Sequence, residues 1–305
     1  MPLSPNLRGA AFMALSMAGF TINDSLVKLV SGNASLGQIM LVRGIFASML
    51  VALLAWRAGA LRGWRANLHP LLSIRVAGEL GGTIFFLIAL FHLPISTVSA
   101  ILQALPLAVT MGAALVLGQA VGWRRWTAIA TGFVGVLMIV RPGAEGVDLF
   151  VLSALVCVGF CTVRDLATSR LPDHVPSLLV SLATALAVTL FGAVMIPFNE
   201  WRPMSGADTL TLGVAAATLV VGYQFIILAT RSGDISAVAP FRYTALLWAM
   251  ALGYAMFGDV PDTLTISGAA LIVGSGIYAL HRDRVRSRGA LARATSNSGV
   301  APDGV

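Results

Sequence analysis

About ten apolar runs of membrane-crossing length divide this chain, at 9–30, 36–56, 71–92, 95–118, 124–140, 148–169, 177–198, 207–229, 235–257 and 263–281. Roughly 20 apolar residues cross the hydrocarbon as a helix, and lipid offers no water to an unpaired backbone amide. The fold class that follows is an all-α membrane protein of about ten transmembrane helices. Composition agrees, because 57% hydrophobic and 11% charged residues leave too little charge to wet a soluble domain. The formal charge of +7 would suit nucleic acid in a soluble protein. Here the basic residues stand between apolar runs, with no basic stripe bearing interleaved aromatics. The pattern fits a lipid bilayer and argues against nucleic acid as a partner.

Gly and Pro punctuate the joints, as in "HLP" before the fourth run, "RPGAEG" after the fifth and "GDVPD" before the last. Arg57, Arg62, Arg65, Arg124, Arg125, Arg170, Arg231 and Arg282 to Arg288 follow the even-numbered runs. The alternate loops are poor in Lys and Arg, with Arg141 and Arg202 as exceptions. This bias predicts both termini in the cytoplasm, with an inner-membrane location. A signal peptide around Arg8 and "AAFMALSMAG" is the other reading of the first run. The run continues past a usual cleavage point and reads better as an uncleaved span. From 282 to 305 the chain is basic and then rich in Ser, Gly and Ala, which predicts a disordered cytoplasmic tail.

The chain also repeats itself. "MAGFTIND" at 17–24 resembles "CVGFCTVRD" at 157–165, "ISTVSA" at 95–100 resembles "ISAVAP" at 235–240, and Gly118 matches Gly258. All share an offset of about 140 residues. Two units result, 8–141 and 148–281. Five helices per unit is an odd number, so the halves enter the membrane from opposite sides. Inverted repeats of this kind place a solute site near midplane between the halves of secondary transporters.

An Arg inside the second span ("LVRGIFASML"), "STVSAILQALPLAVTMGAALVLGQ" and "ATGFVGVLMIVRPG" resemble the EamA branch of the drug/metabolite transporter superfamily. The resemblance covers residues 8–281 and implies a carrier of small metabolites, in either direction. "FGDVPDTLTISGAALIVGSGIY" is similar to the riboflavin and S-adenosylmethionine importers of that branch. The expectation that follows is riboflavin uptake, with S-adenosylmethionine, amino-acid or other metabolite transport, including export, as the alternative. The branch often has Glu after the glycine ending the fourth span. This chain has Gln119, while Asp259 keeps an acid at the counterpart position.

Charges in the hydrocarbon are costly and normally face a bundle interior or a wet cavity. Glu79 is the deepest acid, and Arg75 one turn away is positioned to pair with it at i, i+4. A buried carboxylate suits proton coupling, and a structural ion pair is the alternative. Arg43 cannot discharge itself and calls for an anionic partner, either a polar solute or Asp24. Asn23 and Asp24 interrupt the first run, with Asp24 in the outer half of its helix and Lys28 near enough to the surface to snorkel. The repeat counterpart of Asp24 is Arg164–Asp165 in the inner half of the sixth helix. Asp24 is expected at an outer vestibule and Arg164 and Asp165 at an inner one, unless all three are interfacial charges. Gln103 precedes Pro106, and Arg242 and Tyr243 follow Pro240. Proline frees a backbone carbonyl for a neighbour or cavity water, so Gln103 and Arg242 are expected to face the solute. Arg43, Glu79, Gln103 and Arg242 are thus expected around one cavity, with Tyr243, Trp248 and Gln224 as further lining candidates, or else packing and belt residues.

Nothing resembles G-x-x-x-x-G-K-[ST], so energy would come from a proton or solute gradient unless facilitated diffusion suffices. No histidine falls inside a span: His69, His92, His174 and His281 lie in loops or at helix ends. No catalytic residue, metal or cofactor is therefore expected, and an integral-membrane enzyme is the weaker class. Cys157 and Cys161, one turn apart, read as small packing residues.

Overall fold

The computed structural model describes residues 5–61, 69–141, 148–172, 174–198, 201–232 and 238–298, with side chains as far as His281. Arg62, Arg65, most of "RPGAEG" and the start of "ISAVAP" lie outside these. The described residues are helical throughout, without strands. The first half holds α1 (Pro5–Val30), α2 (Leu36–Arg57), α3 (Pro70–His92), α4 (Ile95–Leu102), α5 (Leu105–Leu117) and α6 (Trp123–Val140). The second holds α7 (Leu149–Thr168), α8 (Ser177–Met195), α9 (Gly206–Ser232), α10 (Thr244–Phe257) and α11 (Thr263–Ser298). Short 3-10 turns at Ile196–Phe198 and Ala239–Tyr243 complete the set.

Local chemistry explains the boundaries. Ser35 opens α2 with a reciprocal capping box, its side chain and that of Gln38 each accepting the other's backbone N–H. Asp148 caps α7 by accepting from the Phe150 N–H at 2.8 Å. The fourth run breaks between Leu102 and Leu105, just before Pro106, and the ninth is wound as 3-10 helix through Pro240 before α10 begins. These two interruptions sit at the same place in each repeat. Gly118 and Gly258 end α5 and α10 in the left-handed conformation, with φ of 65° and 70°. The next backbone N–H, of Gln119 or Asp259, returns to Ala113 O or Gly253 O at 3.1 and 3.0 Å.

Eight helical segments are long and apolar enough to cross a bilayer. The fifth and ninth runs are not among them, since α6 opens on Arg124 and Arg125 and α10 has only 14 residues. One boundary differs from expectation. The last helix continues from Thr263 to Ser298 where the sequence predicts disorder from 282. That stretch is rich in Arg and Ala and free of proline, so its helix propensity carries the backbone on.

Packing is symmetric under exchange of the halves. α1 packs on α9 and α3 on α7; α1 packs on α10, while α4 and α5 pack on α7. Each of α2–α8 and α6–α11 joins an element to its own counterpart, and α4–α10 joins the fourth run to the ninth. Lipid tails are as apolar as the helices, so close approach through small residues does the work of association. A Cβ on Gly19 would meet Thr218 O and Gly222, and one on Gly82 would meet the sulfur of Cys161. At the α6–α11 crossing, a Cβ on Gly135 would lie 2.6 Å from Gly268 O, and the reverse holds equally.

Arg141 closes α6 and pairs with Asp262 just ahead of α11, and Thr265 N–H also bonds that carboxylate. The unexpected cation of this loop thus has its acid beside it. Together these donors hold Asp262 down at about 2.

Two measurements follow. Gly135→Val overpacks the α6–α11 crossing and should destabilise detergent-purified protein by about 1–3 kcal/mol. Gly159→Ala, where a Cβ meets nothing within 4 Å inside α7, should not destabilise and should raise the melting temperature slightly. Asp262 titrates lower folded than unfolded, so its contribution is present above about pH 4 and lost as pH falls through about 2. The melting-temperature gap between wild type and Asp262→Asn should therefore close over that interval.

Candidate functional site

Two cavities occupy the bundle. The first, about 970 Å³ with the space at its mouth, lies among α2, α3, α8 and α9, and its polar lining includes Arg43, Arg75, Glu79, Thr184, Tyr223 and Gln224. Its walls run from Arg43 toward the C-terminal end of α2 and from Thr83 back toward the start of α3. The second, about 820 Å³, lies among α1, α3, α4, α5 and the ninth run, with Asp24, Gln103 and Arg242 beside Phe20 and Phe86. It reaches toward the opposite end, at the close of α3 and the start of α4. The four residues expected around one pocket are thus divided, Arg43 and Glu79 in the first cavity and Gln103 and Arg242 in the second.

Two chains of polar contacts lie beside these spaces. In one, the Arg43 guanidinium donates to Asn23 Oδ1 at 3.4 Å, and Asn23 Nδ2 donates to Asp24 Oδ1 at 2.8 Å. Asn23 is almost fully buried, at 2% exposure. Arg43 lines one cavity and Asp24 the other, so this relay spans the wall between them. In the second, Arg164 joins Glu79 at 3.3 Å and Asp165 at 2.7 Å. Close approach makes this possible, because a Cβ at Gly78 would lie 2.9 Å from the Arg164 backbone nitrogen. Gly81 leaves room for the Phe160 ring, which stacks on Phe85 at 5.6 Å between centroids.

Several expectations change. Glu79 pairs with Arg164 across the helix interface, whereas Arg75 donates to Thr184 Oγ1 on α8 at 2.5 Å. Lys28 does not snorkel freely. Its ammonium donates to Leu90 O at 3.0 Å and to Leu93 O, sealing carbonyls that end α3, with the Phe257 ring 5.5 Å away. Tyr243 and Trp248 stand outside both linings. Tyr243 is buried against α11 at Gly276, and the Trp248 indole N–H donates to Ala14 O at 3.1 Å, tying α10 to α1. Arg164 and Asp165 reach the first cavity only through Glu79.

Sequence reasoning overlooked Tyr223 and Thr184, and treated Asn23 only as an interruption. Tyr223 lies within electrostatic reach of Glu79, Arg164, Arg75 and Arg43, at the centre of the charged layer. Its alignment with Thr83 at the 140-residue offset was the available signal. Cys157 and Cys161 are buried packing residues, their sulfurs 3.9 Å apart. Among the described residues, no cluster of His, Cys, Asp and Glu could hold a metal ion.

Residues 7–141 match the EamA-like transporter family. The chain is similar to an S-adenosylmethionine uptake transporter of Rickettsia prowazekii (strain Madrid E), at 22% identity over 92% of this chain and 95% of that protein. It is 27% identical to a riboflavin transporter of Vibrio cholerae serotype O1, covering 92% of this chain and 96% of that one. A pseudopaline exporter of Pseudomonas aeruginosa (strain UCBPP-PA14) is 26% identical, covering 87% and 93%. One crystal structure superposes with a TM-score of 0.63 at 16% identity, covering 88% of this chain and 97% of that chain. That last likeness is one of fold.

A double-mutant cycle tests the pairing. Glu79→Gln with Arg164→Gln should couple by about 1–3 kcal/mol in stability, while Glu79→Gln with Arg75→Gln, charges close in space without a direct bond, should couple by clearly less. Equal coupling to both arginines would contradict this geometry.

Proposed function

Since residues 7–141 belong to the EamA-like transporter family, we propose that this membrane protein carries a small polar metabolite by alternating access. The observation that supports this reading is the wall between two oppositely placed cavities, crossed by Arg43, Asn23 and Asp24. A solute leaves one cavity for the other only if that relay and the helices bearing it rearrange. The two five-helix halves, 8–141 and 148–281, serve as the inverted units that exchange roles. With both termini cytoplasmic in the inner membrane, the first cavity faces the cytoplasm and the second faces outward.

Riboflavin is the cargo of first choice, and uptake the direction. The supports are the family pattern in the last span, the riboflavin-transporting relative, and aromatic groups beside amides and charges at both cavities. A flat heterocycle with a polar tail needs such a mixture. S-adenosylmethionine or an amino acid, moved in either direction, forms the second reading. It is favoured by the guanidiniums of Arg43 and Arg75, which riboflavin gives no charge to meet.

Glu79 is the coupling group. A proton on its carboxyl would weaken its hold on Arg164 and loosen the α3–α7 contact, with Asp165 left as the remaining acid on that guanidinium. Arg43, Arg75 and Tyr223 share its electrostatic surroundings.

Purified protein in proteoliposomes should accumulate labelled riboflavin, and an imposed pH gradient should raise the rate. Glu79→Gln should slow uptake by about tenfold or more and remove the response to the gradient. Uptake unchanged in that variant at every pH would end the coupling role. Failure to move riboflavin, S-adenosylmethionine or amino acids in either direction would overturn the cargo class.

A further inference from the structure

Arginine in hydrocarbon keeps its charge and requires an anion. Three arginines meet this demand differently around the first cavity. Arg164 has two carboxylates, Glu79 and Asp165. Arg43 and Arg75, among the described residues, have none within 4.0 Å. Arg43 makes one long bond to an amide oxygen. Arg75 reaches a threonine hydroxyl, while its buried Nε has no hydrogen-bond partner. A buried donor left unmade is costly, more so when it carries charge. Both side chains line the same cavity, from α2 and α3.

We propose that Arg43 and Arg75 form a carboxylate subsite, so that the cargo of this chain is an organic acid or zwitterion whose carboxylate the two guanidiniums hold. The inference rests on the transport reading and selects its second cargo class over riboflavin, which has no carboxylate. Glu79, the acid on this lining, is already bonded to Arg164, and Asp24 meets Arg43 only across Asn23, so neither lining guanidinium has a carboxylate in direct contact. A carboxylate with its planar pair of oxygens matches the donor fork of a guanidinium, and such bonds are among the stronger ones proteins form. Beyond the cations the wall turns apolar at Ala47, Val51, Leu54 and Val188. An inorganic anion would leave that surface uncovered, whereas an organic acid covers it with its carbon skeleton. The guanidinium of Arg75 has hydrogen-bonding capacity to spare, since its Nε bonds nothing among the described residues. Thr184, which holds the other end of that guanidinium, is a positioning residue.

The test uses the purified full chain in detergent, with equilibrium binding read for matched pairs. These are S-adenosylmethionine against its decarboxylated analogue, and an apolar amino acid against its amide. Riboflavin, riboflavin 5′-phosphate and inorganic phosphate complete the panel. The acid of each pair should bind about tenfold to a hundredfold more tightly than its partner. Arg43→Gln and Arg75→Gln should each bring that ratio toward one, and Arg75→Lys should retain part of it. The comparison within wild type needs no variant, so a misfolded mutant leaves the inference exposed to refutation. Equal affinities within the pairs would overturn it, as would a preference that survives both glutamine variants. Tightest binding of inorganic phosphate or of riboflavin 5′-phosphate would reassign the subsite to phosphate and overturn the carboxylate assignment. Proteoliposomes separate this claim from the transport reading. Uptake of the panel's acids that is indifferent to both arginine variants sinks the subsite and leaves transport standing. An intact acid preference in binding, with no movement of any panel member, does the reverse.

Discussion

The structure depends on how ionised side chains are satisfied in a medium that cannot hydrate them. Insertion of a charge at the centre of a membrane helix costs about 2.5–3.5 kcal/mol even on lenient scales. Each intramembrane charge here therefore dictates a neighbour. Arg164 draws Glu79 and Asp165 to itself, which requires α3 and α7 to approach at Gly78 and Gly82. Asn23 stands between Arg43 and Asp24, its amide serving as acceptor for one and donor for the other. Lys28 finds the carbonyls that finish α3. The glycine positions, the helix pairings and the placement of the cavities all sit around these contacts.

Much of the fold was legible because its signals are local. The run at 36–56 becomes Leu36–Arg57, and that at 177–198 becomes α8 with its 3-10 extension, since apolar length and capping chemistry act over a few residues. The 140-residue offset appears in three dimensions as two left-handed glycines and two interrupted helices. The pairing of charges was not legible in the same way. Arg75 is the nearest cation to Glu79 along α3, yet the partner is Arg164, 85 residues away. Which side of a helix meets which neighbour is decided by packing between helices, and sequence spacing within one helix is silent about it. The single pocket expected around Arg43, Glu79, Gln103 and Arg242 failed for the same reason. Depth can be read from a run's centre, but azimuth cannot be read without knowing the surrounding helices. Trp248 shows this: it lies at a suitable level and turns away to Ala14.

The two kinds of interhelical contact carry different mechanical meaning. α2–α8 and α6–α11 each join an element to its own counterpart, whereas α1–α9 and α3–α7 form a pair related to one another. In the alternating-access reading proposed above, an exchange of roles between the halves would map a self-paired seam onto itself, with the same energy before and after. The related pair instead trade places. A lesion at the Gly135–Gly268 seam should thus weaken both end states alike, leaving their ratio unmoved. A lesion at Gly78 or Gly222 strikes one member of a balanced couple and tilts the resting population toward one opening. The symmetry of this bundle sorts its residues into a neutral spine and two opposed springs.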